Sequence, residues 1–210
     1  MIATRGQRVL LLVLLALLAA IGAVLLTSVQ SDSASSGPIA SSSKFDGPTM
    51  PPGTHATDFS LLDQNRRRVT LSQYRGHVVI LTFIHSLCHD ACPFMVEQIK
   101  GALNDLPDAG RGVPAIGISV DPAEDTRANR IKFLAKHEMG GRLAFLNGTL
   151  ATMRKVWHGY AIQPVQGPID HSTFVILIDK RGVERVGFAA DQLTPEGLAH
   201  DIRVLQQEPA

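Results

Sequence analysis

Between residues 77 and 93 the chain reads His77-Val-Val-Ile-Leu-Thr-Phe-Ile84-His85-Ser86-Leu87-Cys88-His89-Asp90-Ala91-Cys92-Pro93. The first half is apolar at odd and even positions alike and rich in β-branched residues. A strand that faces water on one side alternates, so this run predicts a central strand of a largely parallel sheet. The second half holds Cys88 and Cys92, the 2 cysteines of the chain. From Pro93 onward Phe94, Met95, Val96, Ile99, Leu103 and Leu106 recur at helical spacing, until Pro107 and Gly110-Arg-Gly112 stop the helix. The thiols therefore fall at a strand-to-helix junction, with Cys88 in the loop and Cys92 in the first helical turn. Pro93 suits that turn, where a missing N–H costs nothing. Unpaired N–H groups and the helix dipole there favour thiolate over thiol. Two chemistries compete for such a pair, reversible disulfide formation and the gripping of one soft metal ion. A purely stabilising disulfide is the weaker use, because so short a loop constrains the unfolded chain little.

Working outward, Asp58-Phe-Ser-Leu-Leu62 and Arg68-Val-Thr-Leu-Ser72 predict two short strands around a polar turn. Val113–Val120 predicts a second buried strand, and a helix is expected from about Glu124 to Met139 with Ile131, Phe133 and Leu134 facing inward. Arg142–Leu146 reads as a short strand and Thr149–Tyr160 as a helix carrying Trp157 and Tyr160 as core or boundary anchors. Ser172–Ile178 is a strand, Asp179-Lys-Arg-Gly182 a hairpin turn into Val183–Phe188, and Thr194-Pro195-Glu196 opens the last helix. Strands alternating with helices, closed by one hairpin, predict a three-layer α/β domain with a mixed central sheet. In such folds sites form beyond the carboxyl ends of the strands, where Cys88 and Cys92 lie.

Arg5 and Arg8 precede 18 consecutive apolar residues, Val9 to Leu26, in a chain of 210. As a helix this run measures roughly 27 Å, close to the hydrocarbon thickness of a bilayer. It is expected to be an uncleaved anchor; a removed signal peptide is the alternative, although no Ala-x-Ala site follows. The positive-inside rule puts residues 1–8 in the cytoplasm and the rest outside it. With so short an N-terminus the expectation is a single-pass protein of a prokaryotic cytoplasmic membrane, its C-terminal domain in the periplasm or on the outer face. Residues 27–53, rich in Ser and Pro, read as a flexible linker of roughly 25–30 Å mean span. Residues 54–210 are left as the folded domain. Net charge +1 carries no sign of nucleic-acid binding, no basic stripe with interleaved aromatics appears, and no nucleic-acid partner is expected.

The order of three separated motifs is more specific. Cys88-x-x-x-Cys92-Pro93 follows a buried strand. Val120-Asp121-Pro122 runs on to Asp125-Thr126, and Asp170-His171-Ser172-Thr173-Phe174 precedes a strand ending Ile178-Asp179. This pattern, over about residues 55–206, resembles the Sco/SenC family of membrane-anchored copper chaperones. The resemblance implies a thioredoxin-like fold, with Cys88, Cys92 and His171 as ligands of a copper ion, Cu(I) or Cu(II). It also implies a metallochaperone, rather than a turnover enzyme, that delivers copper to the binuclear centre of cytochrome c oxidase. The implied partners are the copper-receiving oxidase subunit and other envelope copper carriers or thiol reductants. Thiolates select soft Cu(I) and imidazole suits both copper states. Asp170 is expected as a hydrogen-bond acceptor beside the ligands. The alternative is a thiol–disulfide oxidoreductase using Cys88 and Cys92 as a redox pair on envelope proteins, including the oxidase subunit's copper-ligating cysteines. Three departures stand out: His89 where the family commonly has Pro, Ser86 for Thr, and Arg127 for Pro. His89 is expected to face solvent, and His85 to pack or hydrogen-bond near the site. His55, His77, His137, His158 and His200 read as surface residues.

Overall fold

The computed structural model describes residues 43–162 and 174–210. A five-stranded sheet of order β5-β4-β3-β6-β7 carries the domain. Its strands are β3 (Val79–Ile84), β4 (Ala115–Ser119), β5 (Leu143–Leu146), β6 (Phe174–Ile178) and β7 (Glu184–Ala189). β3, β4 and β5 run parallel, while β6 and β7 run antiparallel, so the sheet is mixed. β3 lies at the centre with all six residues buried, as its unbroken apolar run requires. Thr82, its one polar residue, donates to the carbonyl of Phe174 (2.9 Å). β1 (Ser60–Leu62) and β2 (Arg68–Thr70) form the expected antiparallel pair outside this sheet.

Among the described residues four α-helices complete the layers: α1 (Ala91–Asp105), α2 (Arg127–Lys136), α3 (Leu150–Gly159) and α4 (Pro195–Gln207). Residues of α1, α2 and α4 share one core with one face of the sheet. The β1–β2 pair and α3 cover the other face. On α1 the buried positions are Cys92, Met95, Val96, Ile99, Ala102 and Leu103, an i, i+3, i+4, i+7 stripe. Phe94 falls off that stripe and is exposed. Trp157 and Tyr160 are buried anchors: the indole donates to the Ser119 carbonyl (2.9 Å) and the phenol to that of Thr57 (2.7 Å).

Three expectations are corrected. α2 begins at Arg127 rather than near Glu124, because the Thr126 hydroxyl caps it by accepting from the Asn129 N–H. Ile131 is exposed; the inward position belongs to Arg130, whose guanidinium donates to the carbonyls of Leu62 and Phe145. His137 is buried rather than superficial, its ring against Phe133 and its Nδ1 2.9 Å from Glu97 Oε1.

Residues 43–53, expected as the end of a linker, run along the outer edge of β7. Thr49 bridges Val186, the Met50 N–H donates to the Arg185 carbonyl and the Gly187 N–H to that of Pro48. The buried Asp201 carboxylate of α4 accepts from the N–H groups of Asp46 (2.7 Å) and Gly47 (2.9 Å). A polar, proline-containing segment packs here because an open strand edge and a buried acceptor supply its partners. Among the described residues no helix is long and apolar enough to cross a membrane. The expected anchor, residues 9–26, lies outside them.

Glu184 opens β7 with 5% exposure, and burial pushes its carboxyl up to about 7 from the ordinary 4.5. Between these values the folded chain keeps a proton that the unfolded chain has released, so stability falls as pH rises through the window. Glu184→Gln removes the penalty. It is expected to stabilise the chain by about 1–3 kcal/mol at alkaline pH and to leave it unchanged below the window. Urea unfolding on the two sides of the window measures this, and an equal effect at both pH values contradicts it.

Candidate metal-binding dithiol site

The site grows from the carboxyl end of β3. His85 and Ser86 leave the sheet and the chain turns, the Cys88 N–H donating to the His85 carbonyl (3.1 Å). α1 then starts after Asp90, whose side chain makes no capping hydrogen bond. The acceptor at this helix start is a sulfur: the Cys92 N–H, at the second helical position, donates to Cys88 Sγ (3.4 Å). The His85 N–H in turn donates to Cys92 Sγ (3.4 Å). Each sulfur therefore receives a main-chain N–H, and Cys88 also sits at the positive end of the helix dipole. Both features favour negative charge on sulfur.

Cys88 is half-buried and Cys92 fully buried. Cys88 packs against the core that encloses Cys92. The neighbouring Cys88 sulfur, and then burial, push the Cys92 thiol well above the usual range. Two thiolates side by side repel each other in a dry setting. A soft cation shared between them, or a bond joining them, discharges both at once.

Below the loop lies a brace that the sequence reading did not identify. Asp125 is inaccessible to solvent. Its Oδ1 accepts from the Ser86 N–H (2.7 Å) and lies 3.2 Å from His85 Nδ1, while Oδ2 accepts from the Ser119 hydroxyl (2.5 Å). Burial alone raises the Asp125 carboxyl, but hydrogen bonds from His85, Ser119 and Ser86 outweigh it and hold the group below its ordinary value. The bond to Asp125 raises His85 against the opposing effect of burial. Asn147 fixes the acid's own loop by donating to the carbonyls of Pro122 (3.1 Å) and Asp125 (2.8 Å). β4 and the loop after it thus clamp the start of the cysteine loop. Asp121-Pro122 and Asp125-Thr126 carry the sequence signal of this brace; Asp125 lies in the loop ahead of α2 and not in the helix expected from about Glu124.

Of the expected site residues, the structure brings Cys88 and Cys92 together. His171 and Asp170 lie outside the described residues. His85 hydrogen-bonds beside the thiols as expected, and His89 is exposed. A second cluster, Asp46, His200 and Asp201, sits between the 43–53 segment and α4. There the Asp201 oxygens are already taken by His200 Nδ1 (2.9 Å) and two main-chain N–H groups, which is a structural clasp.

Comparison with known proteins agrees with this geometry. The SCO1/SenC family model matches residues 48–207. The bovine mitochondrial SCO2 homolog is 30% identical over 137 residues, covering 60% of this chain and 50% of that protein. The chain thus spans about half the length of that relative. The structure of Bradyrhizobium japonicum ScoI with copper bound superposes with a TM-score of 0.65 at 29% identity, over 72% of this chain and 99% of that one. Yeast Sco1, at 23% identity, TM-score 0.65 and coverage of 76% and 100%, shares the fold. The mixed five-stranded sheet is the thioredoxin-like arrangement of these neighbours. With the match running from the β7 edge segment through the cysteine loop to the last helix, the chain belongs to the SCO1/SenC family.

Proposed function

We propose that this chain is a copper chaperone that holds one copper ion through Cys88, Cys92 and His171 and delivers it during assembly of the copper centre of cytochrome c oxidase. The observation that carries the reading is the pair of sulfurs at one helix start, each receiving a main-chain N–H. Family membership and a copper-bound relative of 29% identity support it. Two thiolates suit Cu(I), and the imidazole of His171 adds a donor that Cu(II) also accepts. Cys88 and Cys92 come from one turn, and three ligands leave copper coordinatively open, which lets an incoming ligand set take it by exchange. In this reading the apolar run at residues 9–26 tethers the domain to a prokaryotic cytoplasmic membrane, with the domain on the outer face.

The full chain with reduced thiols is expected to take up one copper ion per chain, and alkylation of Cys88 and Cys92 to abolish uptake. Metal analysis after desalting measures this, and equal copper in the alkylated chain contradicts the reading. The proximity of the sulfurs favours a second use. The dithiol reduces a disulfide in an oxidase subunit or another envelope protein, closing the Cys88–Cys92 disulfide as two electrons and two protons pass to the substrate. That activity needs both cysteines and no His171, so a His171 variant separates the two uses.

A further inference from the structure

β3 and β4 are parallel, with Ile84 opposite Ser119 at the thiol end and Ile80 opposite Ala115 at the other. At that other pole, where β4 and β5 begin, a cleft of about 650 Å³ opens. Its lining comes from the β1–β2 turn, the segment before β3, Leu103 of α1, the run from Asp108 into the start of β4, and the start of β5. They bring Arg67, Arg111, Arg142 and His77 to one concavity. Asp108 is the one carboxylate-bearing residue among those that line it; Arg67 is paired with Asp63 outside the lining, which leaves Arg111 and Arg142 against Asp108. Each guanidinium is steadied by a protein acceptor. Arg67 Nε donates to the buried Asp63 (3.0 Å), Arg111 Nε to the Asp108 carbonyl (3.4 Å), and one Arg142 nitrogen to Asn104 Oδ1 (2.9 Å). Tyr74 lines the same wall.

We infer that this cleft binds a multiply charged phosphate-type anion. Guanidinium groups are planar, permanently charged forks that match phosphate oxygens two at a time. Arginines brought to one cleft from separate segments suit a compact anion that takes bonds from several sides. The volume falls in the small-molecule range rather than that of an extended acidic chain. Gly110, Gly112 and Gly141 line the cleft as well, and Gly110 and Gly141 have positive φ (68° and 79°), so bare backbone borders it. This site is separate from the dithiol and does not rest on copper binding. Its ligand is either a soluble phosphate compound or an anionic phospholipid headgroup.

The test uses the full ¹⁵N-labelled chain in non-ionic detergent at about 0.15 M salt, where loose surface attraction is screened. One arm titrates pyrophosphate; the other compares short-chain phosphatidylglycerol with phosphatidylcholine. Saturable shifts of the amides of Arg111, Gly112, Gly141 and Arg142 are expected. With Arg111→Gln and Arg142→Gln combined, affinity is expected to drop by about tenfold or more. A response to pyrophosphate assigns a soluble phosphate, and one confined to phosphatidylglycerol assigns a headgroup; either upholds the site. Several results overturn it: no response in either arm, equal response to phosphatidylcholine, shifts elsewhere than the cleft, affinity unchanged in the double variant, or binding only to an acidic peptide such as polyglutamate. The wild-type shift map decides by itself should the double variant fail to fold.

Discussion

Asp125→Ala is expected to destabilise the folded chain by about 3–5 kcal/mol at neutral pH, the scale for removing one member of a buried hydrogen-bonded charge pair. The carboxylate is fully enclosed, and its loss leaves the Ser86 N–H, the Ser119 hydroxyl and the His85 ring without their acceptor. Each orphaned buried group costs roughly 1–3 kcal/mol. The pH dependence carries a sign that simple cavity formation lacks. The folded Asp125 carboxyl lies below its ordinary 3.8, so its contribution is present above that value and is lost as pH falls through the folded one. The deficit of the Ala variant is therefore expected to narrow in acid. Asp125→Asn, which keeps an acceptor oxygen but no charge, is expected to fall between the two. Urea unfolding across this pH range measures all three proteins. A deficit of less than about 1 kcal/mol, or one that does not change with pH, contradicts the brace.

His171→Ala is expected to weaken Cu(II) binding by about a hundredfold or more while Cu(I) binding falls much less. Two thiolates already satisfy a soft monovalent ion that tolerates low coordination, whereas Cu(II) relies on imidazole as a harder donor. A hundredfold corresponds to about 2.7 kcal/mol of lost binding free energy. Because the dithiol is built by β3, α1 and the Asp125 brace, the variant is expected to keep its fold and its thiol reactivity. Competition with chelators for each oxidation state gives the two affinities. Equal losses for both ions, or no loss for either, remove His171 from the ligand set.

The architecture was legible where local pattern and burial coincide. Val79–Ile84 lacks alternation and is buried on both faces, and the Asp179–Gly182 turn leads into β7 as read. The dithiol at the start of α1 was legible for the same reason, since four-residue spacing acts within one turn. What escaped were features decided by partners far along the chain. Asp125 is joined to residues 39 and 40 positions away. Residues 43–53 are held by Asp201, 154 and 155 positions away, and nothing in a Ser- and Pro-rich stretch announces that acceptor. Ile131 is exposed although it is apolar, because hydrophobicity alone does not fix the phase of a helix. On α2 the inner position goes to Arg130, which satisfies strand-end carbonyls that an isoleucine cannot. His137 looked superficial as an isolated polar residue; Phe133 and Glu97 give it a buried place.

The most direct test of the copper proposal is X-ray absorption at the copper edge of the copper-loaded full chain, recorded for the wild type and for His171→Ala. The proposal predicts two sulfur scatterers and one imidazole nitrogen per copper, with the imidazole signal missing from the variant. A copper shell made of oxygen and nitrogen alone, or spectra that are the same for both proteins, contradicts it.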